Sequence, residues 1–264
     1  KALEFGESHW VADSSIQIDA TDIVFGNFDF LTFSFTPNAE PINGLTVMAR
    51  RSADSPSGAL PLFFAQIFGK DFSDVRARSR AVLDPHVVGV KSKNRLIPYS
   101  VIDFLVDQNG DGLFDIGSVI DIHPRTDAPG NFGYLDLNAG PSGTPELRQY
   151  IEEGYDSDFI IPAGGSKPVF GSTGIDGNSL LNSFNTIIDD VVFLPVHTGV
   201  AYQGTLAIYN VVSIVAVKIT SVKLTGAASD RYIRAEIINY ASSVLVTDPN
   251  APANNSLAKP RLVA

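Results

Sequence analysis

The residue pattern best suited to chemistry is a short acidic loop, Asp107-Gln-Asn-Gly-Asp-Gly-Leu-Phe-Asp115. Counted from Asp107, oxygen-bearing side chains stand at positions 1, 3, 5 and 9, and a glycine stands at position 6. Calcium loops use this spacing because alternate residues point inward and the glycine allows a sharp turn. The sequence therefore predicts a Ca²⁺ site with five ligands: Asp107, Asn109, Asp111, the backbone carbonyl of Leu113, and Asp115.

The predicted calcium loop is incomplete, because Ser118 stands at position 12, where a bidentate glutamate is typical. Asp121 or a water molecule is expected to supply the missing ligand. A plain turn is the alternative interpretation, since Asn-Gly and Asp-Gly dipeptides at 109–112 are typical of hairpins. Apolar runs flank the loop on both sides, as a hairpin requires: Tyr99–Val106 and Ile116–Ile122. The two interpretations are compatible, because the tip of a hairpin can hold an ion.

Other patterns give little support to catalysis. The histidines show no metal-binding spacing such as His-Glu-x-x-His, and they are scattered along the chain: His9, His86, His123 and His197. No Gly-x-Ser-x-Gly nucleophile elbow occurs. The paired acids Glu152-Glu153 and Asp189-Asp190 are expected at helix ends facing solvent rather than as an acid/base pair. No enzymatic activity is predicted.

One stretch of the chain is densely basic. Between Val75 and Leu83, small and apolar residues alternate with three arginines: Arg76, Arg78 and Arg80. This alternation is typical of a strand with one basic, solvated face. The alternative interpretation is a docking patch for an acidic neighbouring subunit, because the protein as a whole is acidic.

Composition limits the partners and the fold. The 264 residues carry a formal charge of −10, which disfavours binding to nucleic acid or to an anionic membrane surface. The absence of cysteine excludes disulfides and thiolate metal sites. Hydrophobic residues make up 44% of the chain, and glycine and proline are frequent between apolar runs, which is typical of many short strands joined by turns.

The periodicity predicts mainly strands. A change of alternation phase between Phe30 and Phe33 predicts a bulge or bend near Leu31–Thr32. The uncharged stretch Val191–Val217 contains Pro195, His197 and Asn210, so two buried strands joined by a turn are expected rather than a membrane span. The predicted strands are Ile16–Ala20, Asp22–Gly26, Leu45–Arg51, Val75–Leu83, Phe132–Leu137, Val191–Val196, Leu206–Leu224 and Tyr232–Val246.

Three helices are expected. Pro61–Gly69 is predicted to be a short buried helix with Pro61 in its first turn and Gly69 as its cap. A second helix has Thr144 as N-cap and ends at Gly154, and a third runs over residues 178–188. The fold class is therefore α+β, predominantly antiparallel β with two or three short helices. An N-terminal β-rich lobe (1–84), a C-terminal α+β lobe (85–246) and a tail (247–264) are expected, with one continuous domain as the alternative.

Several blocks, in this order, resemble the extracytoplasmic region of TadE/TadG-like Flp pilus-assembly proteins. They are Asp22–Gly26, Leu45–Arg51, Pro61–Gly69, Val75–Ala81, Pro129–Leu137, Ile151–Gly154, Leu180–Asn185, Val192–Val196 and Arg261–Val263. The resemblance implies a structural subunit or minor pilin-like component of a bacterial surface pilus, partnered by copies of itself or by other pilus subunits. It also implies an extracellular or cell-surface location.

Two departures from the family pattern matter. An N-terminal transmembrane helix with an Ala-rich segment is missing, so a processed or truncated N-terminus is expected, with membrane contact only through an anchor absent from this chain. The Asp-x-Ser-x-Ser metal motif of some members is also missing. One alternative is a freely secreted filament subunit that assembles by strand or tail exchange, with Leu262-Val263 on a partner's sheet edge. The favoured interpretation of these residues is a flexible end or a segment docked onto the chain's own domain. Another is a calcium-dependent carbohydrate-binding domain, suggested only by analogy of fold.

Overall fold

The computed structural model describes residues 4, 10–11, 14–122, 133–138, 143–172, 177–202, 206–227 and 230–263. The chain folds into two units, one formed by Lys1–Asp84 with Pro260–Ala264 and the other by Pro85–Lys259. These are called unit 1 and unit 2.

Unit 1 contains eight described strands of its own chain segment and two 3₁₀ helices, Ala20–Asp22 and Ala65–Phe68. Its strands are β1 (Trp10–Val11), β2 (Ser14–Ser15), β3 (Ile23–Asp29), β4 (Ser34–Pro37), β5 (Gly44–Arg51), β6 (Leu60–Pro61), β7 (Phe72–Ser73) and β8 (Val75–Asp84).

Unit 2 contains the remaining strands and three described α-helices, α1 (Asp103–Val106), α2 (Thr144–Glu153) and α3 (Gly177–Asn185). Its strands are β9 (Val87–Val90), β10 (Val101–Ile102), β11 (Val119–Asp121), β12 (Leu135–Asp136), β13 (Phe159–Ile160), β14 (Lys167–Gly171), β15 (Val191–Ala201), β16 (Ile208–Lys223), β17 (Tyr232–Ile237), β18 (Tyr240–Ala241) and β19 (Leu245–Thr247). The last strand, β20 (Leu257–Val263), begins in unit 2 and ends in unit 1.

The predominance of antiparallel strands is confirmed, since nearly all strand pairs in the described part of the chain are antiparallel. The α+β class fits only loosely, because the described helices are few and short beside so many strands.

The sheet of unit 1 has the strand order β20-β8-β5-β3-β4. Its buried cluster is small and consists of Phe28, Phe30 and Val82, with Phe35 and Val263 packed against them. The predicted bulge or bend near Leu31–Thr32 is a hairpin turn, because β3 and β4 form a hairpin whose last pair is Asp29 with Ser34. A hairpin turn reverses the chain and so changes the alternation phase without any bulge.

Unit 2 is built around the long strand β16. One of its edges pairs with β15, and its other edge pairs with β14 and then with β17. Side chains from both faces of this strand are buried: Val215, Val217 and Ile219 in one cluster, Ile214 and Ala216 in the other. Strands buried on both faces carry continuous apolar runs. The two buried strands predicted over Val191–Val217 are therefore confirmed.

Helices α2 and α3 pack in the first of these clusters through Leu147, Ile151, Leu180 and Phe184. The predicted end of α2 at Gly154 is confirmed, although the N-cap is Gly143 rather than Thr144. Helix α3 ends at Asn185, three residues before the predicted end. On the other face of β16, the small sheet β13-β9-β19 contributes Val90, Phe159 and Leu245 to the second cluster.

The segment Pro61–Gly69 differs most from its prediction. Pro61 lies in β6, and only Ala65–Phe68 is helical, as a 3₁₀ turn with no buried residue. Gly69 does cap that turn in the left-handed region, with φ +72°. The prediction of a buried helix is wrong because β6 and β7 form a two-stranded ladder of their own, and the turn between them is exposed to solvent.

The predicted hairpin around the acidic loop is also wrong. Before the loop the chain forms β10 and then α1, and after it the chain forms β11. β10 pairs with β15 and β11 pairs with β17, so the two flanking segments do not pair with each other. In the described part of the chain, no helix has the length and apolarity that a membrane span requires.

Candidate assembly surfaces and the acidic loop

The acidic loop begins at the C-terminal end of α1. The amide of Asp107 donates to the carbonyl of Asp103 at 2.9 Å, which ends the helix. The Asp107 carboxylate then accepts hydrogen bonds from the amides of Gly110, Asp111 and Gly112, at 2.8, 3.2 and 2.9 Å. Gly110 and Gly112 have φ values of +72° and +83°, so the turn requires glycine at these two positions.

The other predicted ligands continue the same pattern. The side chain of Asn109 accepts from the amide of Asp111, and the side chain of Asp111 accepts from the amide of Leu113, both at 2.8 Å. The Asp115 carboxylate accepts from the amide of Gln108 at 2.7 Å and from the Asn109 side chain at 3.2 Å. The five predicted positions thus lie in one turn, and the side-chain oxygens of the four polar residues accept hydrogen bonds from donors of the same turn.

No group of three or more histidine, aspartate or glutamate side chains is arranged to hold a metal ion within the residues that the structure describes. Asp121, expected to complete the loop, instead lies in β11, where Arg234 donates to both its carboxylate oxygens at 2.8 and 2.9 Å. These contacts direct the Asp121 carboxylate to β17.

Asn255 forms hydrogen bonds with the backbone of the loop at Phe114, a contact that was not predicted from the sequence. Its side chain accepts from the amide of Phe114 at 2.9 Å and donates to the carbonyl of Phe114 at 2.8 Å. The pair imitates one rung of a strand ladder. The 141-residue separation between the partners leaves no local signal in the sequence.

The paired acids make structural contacts. Asp189 and Asp190 form ion pairs with Lys218 and Arg95, both at 2.8 Å. Glu152 accepts from the hydroxyl of Ser183 on the neighbouring helix α3. Of the histidines, His197 is fully buried on β15 beside the ring of Tyr209. His86 is the second residue of unit 2. His9 and His123 lie outside the described residues.

The predicted basic strand face is present on β8. Arg76 and Arg78 are exposed and form no ion pair with a residue in the described ranges. Arg80 lies over the ring of Phe35 at 4.4 Å and donates to the hydroxyl of Thr46 at 3.0 Å. Partial desolvation, and then the charge of Arg78, hold the pKa of Arg80 below its usual value. The arginines therefore form an exposed stripe of like charge.

The face of β8 opposite the arginines is apolar and exposed. Val75 and Leu83 are exposed there, and on the neighbouring strand β3 the ring of Phe25 is exposed as well. A depression of about 250 Å³ lies at one end of this face, and its apolar lining comes from seven residues: Phe25, Ile42, Leu45, Ala81, Val82, Leu83 and Pro260. We call this depression the apolar pocket.

A second apolar feature of unit 1 is the turn between β6 and β7, residues 62–71, which we call the aromatic tip. The side chains of Phe63, Phe64, Ile67 and Phe68 are 78–84% exposed. The rings of Phe63 and Phe64 meet edge to face at 5.1 Å. Soluble monomers seldom expose several large apolar side chains side by side, and such patches typically mark sites of contact with other molecules.

The aromatic tip and part of the lining of the apolar pocket fall within the part of the chain that matches a family model, whereas Leu83 and Pro260 of the pocket lie outside it. Residues 2–81 match the Tad_C family, described as putative Tad-like Flp pilus-assembly. The N-terminal segment is similar to Tad-like pilus-assembly proteins. The resemblance inferred from the sequence is thus confirmed over this Tad-like segment, and the later blocks, including Pro129–Leu137, lie beyond the match. No curated protein and no solved structure is significantly similar to the chain.

Proposed function

We propose that this protein is a non-enzymatic structural component of Tad-like pilus assembly, displayed at the cell surface, where the Tad-like segment binds other pilus subunits. The observation that carries the proposal is that this segment exposes its large apolar side chains instead of burying them. More than half of the exposed large apolar side chains in the described residues belong to unit 1, although unit 1 is about a third of the chain.

The small core of unit 1 supports this proposal. A domain of this length normally buries a core of many large side chains, because burial of apolar surface is what offsets the loss of chain entropy. Unit 1 buries three such side chains in its core cluster, whereas each cluster of unit 2 buries many more. Contacts with another subunit would supply the burial that unit 1 lacks.

The test of the proposed function is made in cells of the producing bacterium. Deleting the gene is expected to abolish surface pili, and expressing the wild-type chain with its native flanking sequence is expected to restore them. The variant Phe64→Ser/Phe68→Ser should be exported yet fail to restore pili, because it lacks the apolar tip.

Phe170→Ser is the matched control, since Phe170 is an exposed phenylalanine in unit 2, outside the Tad-like segment. It should restore pili as the wild type does. Normal pili in the deletion strain, counted by electron microscopy, would contradict the proposed function.

A freely secreted filament that assembles by strand exchange is the second candidate. The position of β20 favours it, because this C-terminal strand leaves unit 2 and completes the sheet of unit 1 beside β8. A strand that complements a segment far away in the chain can be exchanged between identical chains with little loss of contacts.

We also propose that the acidic loop binds Ca²⁺. Support comes from the gathering of Asp107, Asn109, Asp111, Leu113 and Asp115 in one turn and from the two left-handed glycines within it. With Asp121 bound to Arg234 and no glutamate at position 12, the ligand set is short of a full calcium loop. The expected affinity is therefore in the range of weak extracellular sites, with Kd about 10⁻⁴ to 10⁻³ M.

Calcium is expected to raise the stability of unit 2. At a free concentration about a hundred times Kd, a site present only in the folded state adds about 2.7 kcal/mol to the free energy of unfolding. Thermal unfolding in excess Ca²⁺ and in chelator measures this difference. Asp107→Asn should abolish it, whereas Asp156→Asn, at another exposed aspartate of unit 2, should preserve it. Equal melting temperatures of the wild type in both solutions would show that the loop is only a turn.

A further inference from the structure

The sequence contains two Asn-Gly steps, Asn43-Gly44 and Asn109-Gly110, and the fold places them in opposite surroundings. An asparagine followed by glycine can close a succinimide ring, because glycine has no Cβ atom to hinder the approach of its nitrogen to the asparagine side chain. The reaction requires a side chain that can turn and a backbone nitrogen that can reach it. The surroundings of each step therefore decide which asparagine reacts.

Asn43 is held in place by the sheet of unit 1. Its side chain accepts a hydrogen bond from the amide of Phe28 at 2.6 Å and donates to the carbonyl of the same residue at 3.0 Å. Gly44 follows as the first residue of β5, where it pairs with Gly26 of β3 and with Val82 of β8. Because both reacting groups are fixed in this way, the ring can close only after this part of the sheet opens.

Asn109 lies in the acidic loop, and both residues of its step are exposed. Apart from its chain neighbours, no atom lies within 4 Å of the place that a Cβ atom of Gly110 would occupy. The Asn109 side chain accepts from the amide of Asp111 at 2.8 Å and donates to the Asp115 carboxylate at 3.2 Å. These contacts join neighbouring residues of one exposed turn, so they can break without any opening of the sheets.

The Asp107 carboxylate favours ring closure at Gly110. Closure removes the proton of the attacking nitrogen, and the amide of Gly110 already donates its hydrogen to Asp107, with 2.8 Å between nitrogen and oxygen. A carboxylate within hydrogen-bond reach can accept such a proton. The Gly110 nitrogen bonds to Cγ of Asn109, the bond from Cγ to Nδ2 breaks, and Nδ2 leaves as ammonia with the transferred proton.

We propose that Asn109 deamidates spontaneously in the folded protein, whereas the sheet of unit 1 protects Asn43. Water opens the succinimide at one of its two carbonyls and gives aspartate or isoaspartate. Either product has a carboxylate where the amide stood. The acidic loop therefore gains one negative charge as the protein ages.

The new carboxylate changes the electrostatics of the loop. The amide of Asn109 donates to Asp115, whereas an aspartate at position 109 turns a second carboxylate toward it. Like charges this close repel each other, and the loop also loses one of its own hydrogen bonds. A divalent cation relieves this repulsion, and the number of charged ligands sets the affinity of a calcium loop. This consequence rests on the calcium site proposed above, whereas the deamidation itself does not.

Peptide mapping by mass spectrometry measures the reaction. Purified protein is incubated in warm, mildly alkaline buffer, and the deamidated fraction of the peptide around each Asn-Gly step is followed over time. In native protein, Asn109 should convert steadily, and Asn43 should react at least about a hundredfold more slowly. In denaturant, the two should react at similar rates, because the fold no longer separates them.

Two variants test the effect on the loop. Asn109→Asp reproduces the aged loop, and Asn109→Gln keeps a side-chain amide that reacts far more slowly because its ring is larger. In chelator, Asn109→Asp should melt at a lower temperature than fresh wild type, and in excess Ca²⁺ this difference should disappear or reverse. Asn109→Gln should melt at the same temperature before and after the incubation.

Two results would overturn the inference: an Asn109 amide that persists through the incubation of native protein, or an Asn43 that reacts there as fast as Asn109. If Asn109 deamidates but Ca²⁺ does not restore the stability of Asn109→Asp, the modification site stands and the proposed calcium site fails. The proposed function in pilus assembly is tested separately, in cells.

Discussion

Replacing Gly154 by alanine is expected to destabilise unit 2 by at least about 3 kcal/mol. Gly154 ends α2 with φ +86° and ψ 161°, a region of backbone conformation that is essentially restricted to glycine. A Cβ atom there would also lie 2.5 Å from the amide nitrogen of Arg95 and 2.9 Å from that of Asn94. Both neighbours are backbone atoms, so they cannot move aside as a flexible side chain would.

The measurement is hydrogen–deuterium exchange on peptides from α2 and β16, which reports the stability of unit 2 even if the two units unfold separately. Gly164→Ala is the matched control. Gly164 also has a positive φ, +64°, but a Cβ atom at that position meets open space. Its cost should be limited to the left-handed backbone, about 1–2 kcal/mol. Equal effects of the two substitutions would show that the contact with residues 94 and 95 is not tight.

The elements that sequence reasoning predicted well have their signals close together in the chain. Helix α2 begins beside Pro145 and ends at Gly154, and its apolar residues repeat at helical spacing. β15 and β16 were predictable because burial on both faces leaves a long run without charge. These signals need no knowledge of distant partners.

The acidic loop shows where local signals stop. Its ligand spacing and its glycines could be read from the sequence, and they do form a turn. The pairing of the strands on either side of the loop could not be predicted from the sequence, because β10 and β11 pair with strands that lie far away in the chain. The role of Asn255 depends on the same kind of long-range contact.

The aromatic tip was missed for a different reason. Apolar composition predicts burial only when the chain itself supplies a covering element. For Pro61–Gly69, the short β6–β7 ladder instead presents the apolar side chains to solvent. A single sequence gives the same pattern whether the cover is another part of the chain or another subunit, so the prediction of a buried helix followed the commoner case.

Replacing Arg261 by methionine is expected to destabilise unit 1 by about 3 kcal/mol. The Arg261 guanidinium lies 3.0 Å from a carboxylate oxygen of Asp84, whose side chain is only 1% exposed. Removing one partner of a buried ion pair costs about 3–5 kcal/mol, because the charge that stays buried loses the ion pair that stabilised it in a medium of low polarity. The lower end of this range applies here, since the Arg261 side chain is one-third exposed and water can reach the site.

Denaturant unfolding of the single variant and of Asp84→Asn/Arg261→Met measures the effect. The double variant should recover most of the loss, because it removes the charge that Arg261 compensates. Leu262→Ser, at the exposed neighbouring position on β20, should change stability by less than about 0.5 kcal/mol. A single variant as stable as the double variant would show that Asp84 does not need its partner.

The same variant separates the two modes of assembly. Loss of Arg261 removes the ion pair that joins β20 to β8. If filaments form by exchange of β20 between chains, Arg261→Met must weaken every junction in the filament, because each junction contains this ion pair. If subunits join through the aromatic tip, the junctions lack the pair, and filaments should form below the melting temperature of unit 1. Filament length of Arg261→Met at low temperature therefore distinguishes a swapped strand from a docked tip.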